Sequence, residues 1–311
     1  MKVKNPKVLV VTNMYPSDGD VSWRGSFVKE QVDSCKKIGP VEIDVFHIKG
    51  KVCGGNNINY VLATFKIAYL MLKNKYDIIH CHHAFCVIVA IFFFRRIIYT
   101  VHEGELNNHF TSHLIKAAIL ISKCSIFVSR HEFERSKKKD KIFLPCGIDF
   151  DSFELKEQEY INQVLFPADP KRTEKNSWII ESIENRLKAE FGITVFYGGK
   201  IPRNQMPERM RESLCVLSCG KFESDGLVVK EAMALNVPII STNVGNSKYY
   251  VDETCGVIID PTSESLYSAI KNVFYNRDLY TNGRSKLDSL NISSNAVAME
   301  LLSIYERFLS R

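Results

Sequence analysis

Val8-Leu9-Val10-Val11-Thr12 is apolar until its last position. A strand with one face in water alternates apolar and polar residues. An unbroken run needs both faces covered, as in parallel sheets. Comparable runs recur at Asp77–Cys81, Ile97–Val101, Ser125–Val128, Ile142–Leu144, Val164–Phe166, Ile193–Phe196, Leu214–Cys219, Pro238–Thr242 and Val257–Ile259, with Glu42–Ile48 a more polar member. Between them the apolar residues take helical spacing: Phe27–Lys37, Tyr60–Lys73, His113–Lys123, a short helix through Lys137-Lys138-Lys139, one ending at Glu190, Met206–Arg211, Val228–Leu235, Ser263–Tyr275 and Asn295–Leu309. Strand and helix in alternation predict an α/β fold of open, mostly parallel sheets with helices on both faces.

The length of 311 residues has room for two such domains. Pro145-Cys146-Gly147-Ile148-Asp149 interrupts the rhythm, and a polar stretch follows to Gln163. The expected division is residues 1–150, residues 151–294, and a terminal helix over 295–311.

The formal charge of +6 suits polyanionic substrates or an anionic membrane surface and is too small to argue for nucleic acid. The nine cysteines are odd in number and scattered, with Cys81, Cys215 and Cys219 in strand-like runs. That favours a reducing compartment, the cytoplasm. Met1-Lys2-Val3-Lys4 leads directly into a strand, so no signal peptide is expected. The longest apolar run, Ala84 to Phe94, is shorter than the ~20 residues that cross a bilayer. It is expected to be a buried crossover helix. The alternative is a membrane-facing edge at Phe92-Phe93-Phe94 beside Arg95-Arg96.

The chemistry centres on Phe222 to Leu235, where Glu223 and Glu231 stand either side of Gly226 in a strand–loop–helix setting. A helix opening at Gly226 points unpartnered amides outward, which suits a phosphate. Carboxylates beside it suit sugar hydroxyls. An ordinary βα unit with glutamates on a solvated face reads equally well. Gly25 either punctuates a loop before a helix or lets backbone approach a ligand. His102 ends the strand Ile98–Val101, at the sheet edge where open α/β folds hold ligands. Otherwise it is a buried histidine satisfied by backbone. Arg172 and Lys175 flank a helix start, in a loop where Lys171 could substitute for Arg172. His80, His82 and His83 cluster with Cys81 and Cys86, but a strand sends His80 and His82 to one face and Cys81 and His83 to the other, so no metal site is expected. Asp18-Gly19-Asp20 and Asp149-Phe150-Asp151 are expected to be loop acids.

Glu223-Ser-Asp-Gly226 followed by Lys230-Glu231-Ala232-Met233-Ala234 resembles the Glu-x7-Glu signature of glycosyltransferase family 4. Tyr15-Pro16 with Arg24-Gly25-Ser26-Phe27, and Thr100-Val101-His102-Glu103-Gly104, resemble its first-domain elements, in members active on bacterial surface polysaccharides. The resemblance implies the GT-B fold: two Rossmann-like domains facing a cleft, with a C-terminal helix crossing back to the first. It implies a retaining, metal-independent hexosyltransferase with no cofactor, moving sugar from a nucleotide donor, a UDP-sugar, to a glycan or lipid-linked saccharide. Glu231 would hold the ribose and Glu223 the sugar hydroxyls. Gly226, Leu227 and Val228 would present amides to the diphosphate. Arg172 and Lys175 would neutralise it, Gly25 would lie near it, and His102 would contact the sugar. The alternatives are a nucleotide-sugar epimerase of the same fold and a non-catalytic partner subunit. The chain departs from the pattern at Cys146, at Pro167–Arg172, and in a short stretch between Phe196 and Met206.

Overall fold

The computed structural model describes residues 5–16, 25–50, 55–102, 109–157 and 159–310. The chain divides into two compact units, Met1–Gly147 with Ser294–Arg311, and Ile148–Ser293.

The first unit runs β1 (Lys7–Thr12), α1 (Ser26–Ile38), β2 (Glu42–His47), α2 (Ile58–Asn74), β3 (Ile78–Cys81), α3 (Ala84–Val89), β4 (Ile97–Val101), α4 (His109–Ile121), β5 (Cys124–Phe127), α5 (Arg130–Arg135) and β6 (Lys141–Phe143). The six strands pair in parallel in the order β2-β1-β3-β4-β5-β6. Successive side chains of β1 explain the unbroken apolar run. Leu9 and Val11 pack into one cluster with Ile67 and Met71 of α2 and Val87 of α3. Val8 and Val10 pack into another with Val28 and Val32 of α1. Leu301, Ile304 and Tyr305 of the C-terminal helix Ser294–Leu309 join that second cluster.

The second unit runs β7 (Ile161–Phe166), α6 (Ser177–Glu181), α7 (Glu184–Phe191), β8 (Thr194–Tyr197), α8 (Met206–Arg211), β9 (Ser213–Ser218), α9 (Leu227–Ala234), β10 (Ile239–Thr242), α10 (Ser247–Tyr250), β11 (Gly256–Ile259), α11 (Ser263–Asn276) and α12 (Gly283–Ser289); the C-terminal helix of the first unit is α13. Its five strands are parallel in the order β11-β10-β9-β7-β8. The order reverses beside β7, as it does beside β1, and ligands of open α/β sheets collect at the carboxyl ends of strands at such points.

Two expected helices take another form. The Ala84–Phe94 run is α-helical only through Val89; a 3-10 segment, Ile91–Arg96, follows the buried Ala90 and leaves Phe92 and Phe94 exposed. The lysine cluster lies beyond α5, which ends at Arg135. There the Lys138 ammonium reaches the carbonyls of Leu120 and Ser122 instead of continuing a helix.

His80, on β3, is fully buried. Its Nδ1 meets the Tyr305 hydroxyl of α13 at 2.7 Å and its Nε2 the Thr100 hydroxyl of β4 at 2.7 Å. Burial, then His102, pushes its pKa from 6.5 to about 3, and burial drives that of His82 well down as well. Both are therefore neutral in the folded chain. Unfolding restores the ordinary value, so below pH 6.5 the unfolded state takes up protons that the folded state refuses. The stability these neutral rings contribute is full above 6.5 and is lost as pH drops below it, for His80 over the window from 6.5 down to about 3. The urea midpoint should be clearly lower at pH 5 than at pH 7.5, and equal midpoints would contradict the buried neutral rings.

Candidate functional site

β9 is buried from Ser213 to Leu217 and delivers the chain to a loop that ends at Gly226. Gly226 has φ 76° and ψ 60°, left-handed values that a residue with a Cβ adopts at a cost. It caps α9, and its carbonyl accepts from the amides of Val229 at 3.1 Å and Lys230 at 3.3 Å. The preceding amides, Leu227 and Val228, are first-turn donors with no intrahelical acceptor.

The loop is fixed from inside. Lys230 is fully buried in α9, and its ammonium pairs with the buried carboxylate of Asp225. The other oxygen of Asp225 accepts from Asn246 Nδ2 at 2.6 Å and from the Tyr250 hydroxyl. Asn246 and Tyr250 bring in the α10 turn.

Each glutamate of the pair meets a cation. Glu223 forms an ion pair with Lys175. Glu231, 5% exposed, accepts from Arg203 Nη1 at 2.9 Å. Arg172 lies alongside, its Nε on Glu174 at 2.7 Å. Lys171 enters through its backbone, its amide on Asp169 Oδ1 at 2.9 Å. The loop bearing Arg172 and Lys175 is stitched to the glutamate loop. Asn176, at φ 55°, donates to the Cys219 carbonyl at 2.9 Å, and the Lys221 amide donates to the Glu174 carbonyl at 2.9 Å. These residues lie beyond the carboxyl ends of β7 and β9, neighbours at the reversal of strand order. The structure thus gathers Arg172, Lys175, Glu223, Gly226, Leu227, Val228 and Glu231 in one region of the second unit.

Gly25 and His102 belong to the first unit. Gly25 has φ 67° and caps α1. A Cβ there would stand 2.4 Å from the Met14 carbonyl carbon, so backbone crosses backbone closely and glycine is required. The His102 ring packs on Phe27, centroids 4.9 Å apart, and stacks on His82 at 5.8 Å. These rings, with Thr100, Glu30 and Cys146, line a cavity of about 20 Å³, room for about one water. Both ring nitrogens of buried His82 lack a hydrogen-bond partner among the described residues. His83 caps α3 by accepting the Phe85 amide at 3.2 Å. Among the described residues no three His, Cys, Asp or Glu side chains are placed to hold a metal ion. Asp149 accepts from the Asp151 amide and the Ser152 hydroxyl, closing its own turn. Asp18-Gly19-Asp20, Arg24, Glu103 and Gly104 lie outside the described residues.

Arg203, Asp225 and Lys230 are participants to which the sequence analysis gave no role. For the latter two a signal existed: a lysine in a helix whose other residues, Glu231 apart, are apolar, five positions after an aspartate. Lys230→Met should strand the buried Asp225 carboxylate and cost about 3–5 kcal/mol. The double variant with Asp225→Asn should recover part of that loss. Urea denaturation of both checks this, and a silent Lys230→Met would remove the pair from its structural role.

Residues 154–286 match the family model described as Glycosyl transferases group 1. A protein described as an uncharacterized 41.2 kDa protein in the cps region of Klebsiella pneumoniae is 25% identical over 244 residues, 62% of this chain and 67% of that one. Among solved structures, sucrose-phosphate synthase from Thermosynechococcus elongatus superposes with a TM-score of 0.79 at 17% identity, covering 99% of this chain and 100% of that one. Anabaena Alr3699/HepE in complex with UDP superposes with a TM-score of 0.70 at 12% identity, over 97% and 100%. The fold of the chain is accordingly GT-B, and residues 154–286 carry the sequence pattern of glycosyl transferases group 1.

Proposed function

We propose that the chain is a retaining, family 4 glycosyltransferase. It moves a hexose from a nucleotide-sugar donor, a UDP-sugar, to a glycan or lipid-linked saccharide in surface polysaccharide synthesis, in the cytoplasm and against the inner membrane face. The observation that carries this reading is the arrangement around Gly226: two carboxylates flank a bare helix start, and each is held by a cation from another loop. The family match over the second unit supports the reaction class. The structural neighbour bound to UDP favours the nucleotide, and the relative in a cps region favours the polysaccharide pathway.

In this reading Glu231, oriented by Arg203, accepts from the ribose hydroxyls. Glu223, beside Lys175, accepts from the sugar hydroxyls. As the bond from the anomeric carbon to phosphate breaks, the diphosphate leaves with added negative charge. The acceptor hydroxyl forms the new bond to the anomeric carbon, and its proton passes to the departing diphosphate oxygen. Amides at Gly226, Leu227 and Val228, with Lys175 and Arg172, meet the developing charge, which lowers the barrier selectively. By the same resemblance Gly25 would lie near the diphosphate and His102 would contact the sugar. These cations and amides do the work that a divalent metal would otherwise do.

Glu231→Gln should weaken UDP binding by roughly 1.5–3 kcal/mol, because a charge-assisted bond is lost. Glu223→Gln should lower turnover more than UDP affinity. Calorimetry and transfer assays on the two folded variants separate these effects, and wild-type behaviour in both would refute the roles.

Lys175→Ala should reduce turnover by about 10²–10³, the usual scale for losing one such partner. Arg172→Ala should cost less, since Glu174 rather than a site carboxylate holds its guanidinium. Activity should survive excess EDTA. Loss in EDTA with rescue by manganese, together with full turnover in both variants, would overturn the metal-free mechanism.

A further inference from the structure

Helix α2 is apolar on two opposite faces. Ala63, Ile67 and Met71 turn inward and are buried. Ile58, Val61, Leu62, Phe65, Tyr69 and Leu72 are all exposed, Phe65 by 72% and Leu72 by 77%. At 3.6 residues per turn these six fall within an arc of roughly 100°, opposite the buried face. A helix apolar all round is ordinarily buried all round. Here one side covers the core and the other forms a stripe about 25 Å long, from the 17 residues of the helix.

The charge on this stripe has one sign. Lys66 and Lys73 lie along its edge, Lys75 ends the helix, and α2 contains no Asp or Glu. The Lys73 ammonium sits over the exposed Tyr69 ring, 5.5 Å from its centroid. α2 packs on α3, which runs into the segment Ile91–Arg96. That segment exposes Phe92 and Phe94, ends in Arg95 and Arg96, and likewise lacks an acid. The lysine run Lys137–Lys139 is a poorer candidate for surface attraction, because Lys138 is turned onto the Ser122 and Leu120 carbonyls. A second copy of this face is a poor partner too, since a two-fold contact would oppose basic edges. Apolar and aromatic side chains on two segments that carry cations and no acid of their own match an anionic bilayer surface, where rings sit among headgroups and lysines meet lipid phosphates.

We propose that the exposed face of α2, with the Phe92–Arg96 edge, is the surface that seats this chain on an anionic lipid bilayer. This deepens the membrane part of the proposed function and stands apart from the sugar chemistry. No helix among the described residues is long and apolar enough to cross a membrane, and the seat requires none.

Sedimentation of the purified chain with vesicles tests it. The chain should pellet with phosphatidylcholine vesicles containing phosphatidylglycerol, pellet less with phosphatidylcholine alone, and release as salt rises. Phe65→Ser with Leu72→Ser should weaken partitioning by tenfold or more, since the Phe65 ring and the Leu72 side chain would otherwise leave water. Lys66→Glu with Lys73→Glu should weaken it by roughly tenfold on anionic vesicles and little on neutral ones. Both double variants should keep the wild-type melting temperature and its rise with UDP, so a fault in the nucleotide site is read separately. The proposal is overturned if the wild type stays in the supernatant with anionic vesicles, or if neither double variant alters pelleting. It is also overturned if the wild type is a dimer that Phe65→Ser with Leu72→Ser dissociates without any vesicle binding, because the face would then be a self-interface.

Discussion

The pairing of Lys230 with Asp225 is the interaction on which the second unit's loop geometry depends. Each charge is buried, and a lone buried ion would be strongly disfavoured. Asn246 and Tyr250 complete the ligand set of the Asp225 carboxylate, so four residues from the loop, α9 and the α10 turn hold one another. The left-handed turn at Gly226 joins the buried Asp225 to the first turn of α9. The neighbouring loop conforms as well. Gly245 has φ 55°, and a Cβ on it would lie 2.8 Å from the Glu223 carbonyl oxygen. Glu223 thus stands on a backbone fixed on both sides, although its own side chain is only partly buried.

The sheets were legible because of what parallel strands need. Val8 to Val11 had to be apolar on both faces, and the two clusters either side of β1 show why. The helix Asn295–Leu309 was legible for a similar reason: its apolar stripe finds α1 and the His80–Tyr305 contact. The lysine helix was not legible. Lysine has good helix propensity, but the carbonyls at the end of α4 offered the Lys138 ammonium a better partner. The exposure of Phe92 and Phe94 was open only as the alternative to a buried helix, because a run of apolar residues carries no sign of where a 3-10 turn will reorient it.

At the candidate site, spacing within one segment could be read and contact between segments could not. The loop, the glycine cap and the helix start came from one continuous stretch. Lys175 and Arg203 reach that stretch from 48 and 28 positions away, through loops that follow other strands. Nothing in a linear pattern couples them to Glu223 and Glu231. Asp225 and Lys230, five positions apart, were in reach of a sequence argument, since a charge on the buried face of a helix implies a partner nearby.

The pairing of charges in this region bears on how an anion would enter it. Arg172, Lys175 and Arg203 each lie against a carboxylate, respectively Glu174, Glu223 and Glu231. Long cationic side chains lose rotamer freedom when they are ordered, up to about 2 kcal/mol each. Holding them on glutamates before any ligand arrives moves that loss from binding to folding, the general advantage of preorganisation. The pairing also limits what the cations can give to a diphosphate, because their charge is already partly balanced. The first-turn amides of α9 are under no such restraint. They carry the positive end of the helix dipole and have no carboxylate upon them among the described contacts. For the proposed donor this would divide the labour: the amides and the Gly226 turn would receive the phosphates first, Lys175 and Arg172 would add their charge as the diphosphate departs, and Glu223 and Glu231 would take the sugar and ribose hydroxyls. Under the proposed function, a site built in this way would favour a ligand that brings hydroxyls and phosphates together over one that brings phosphate alone.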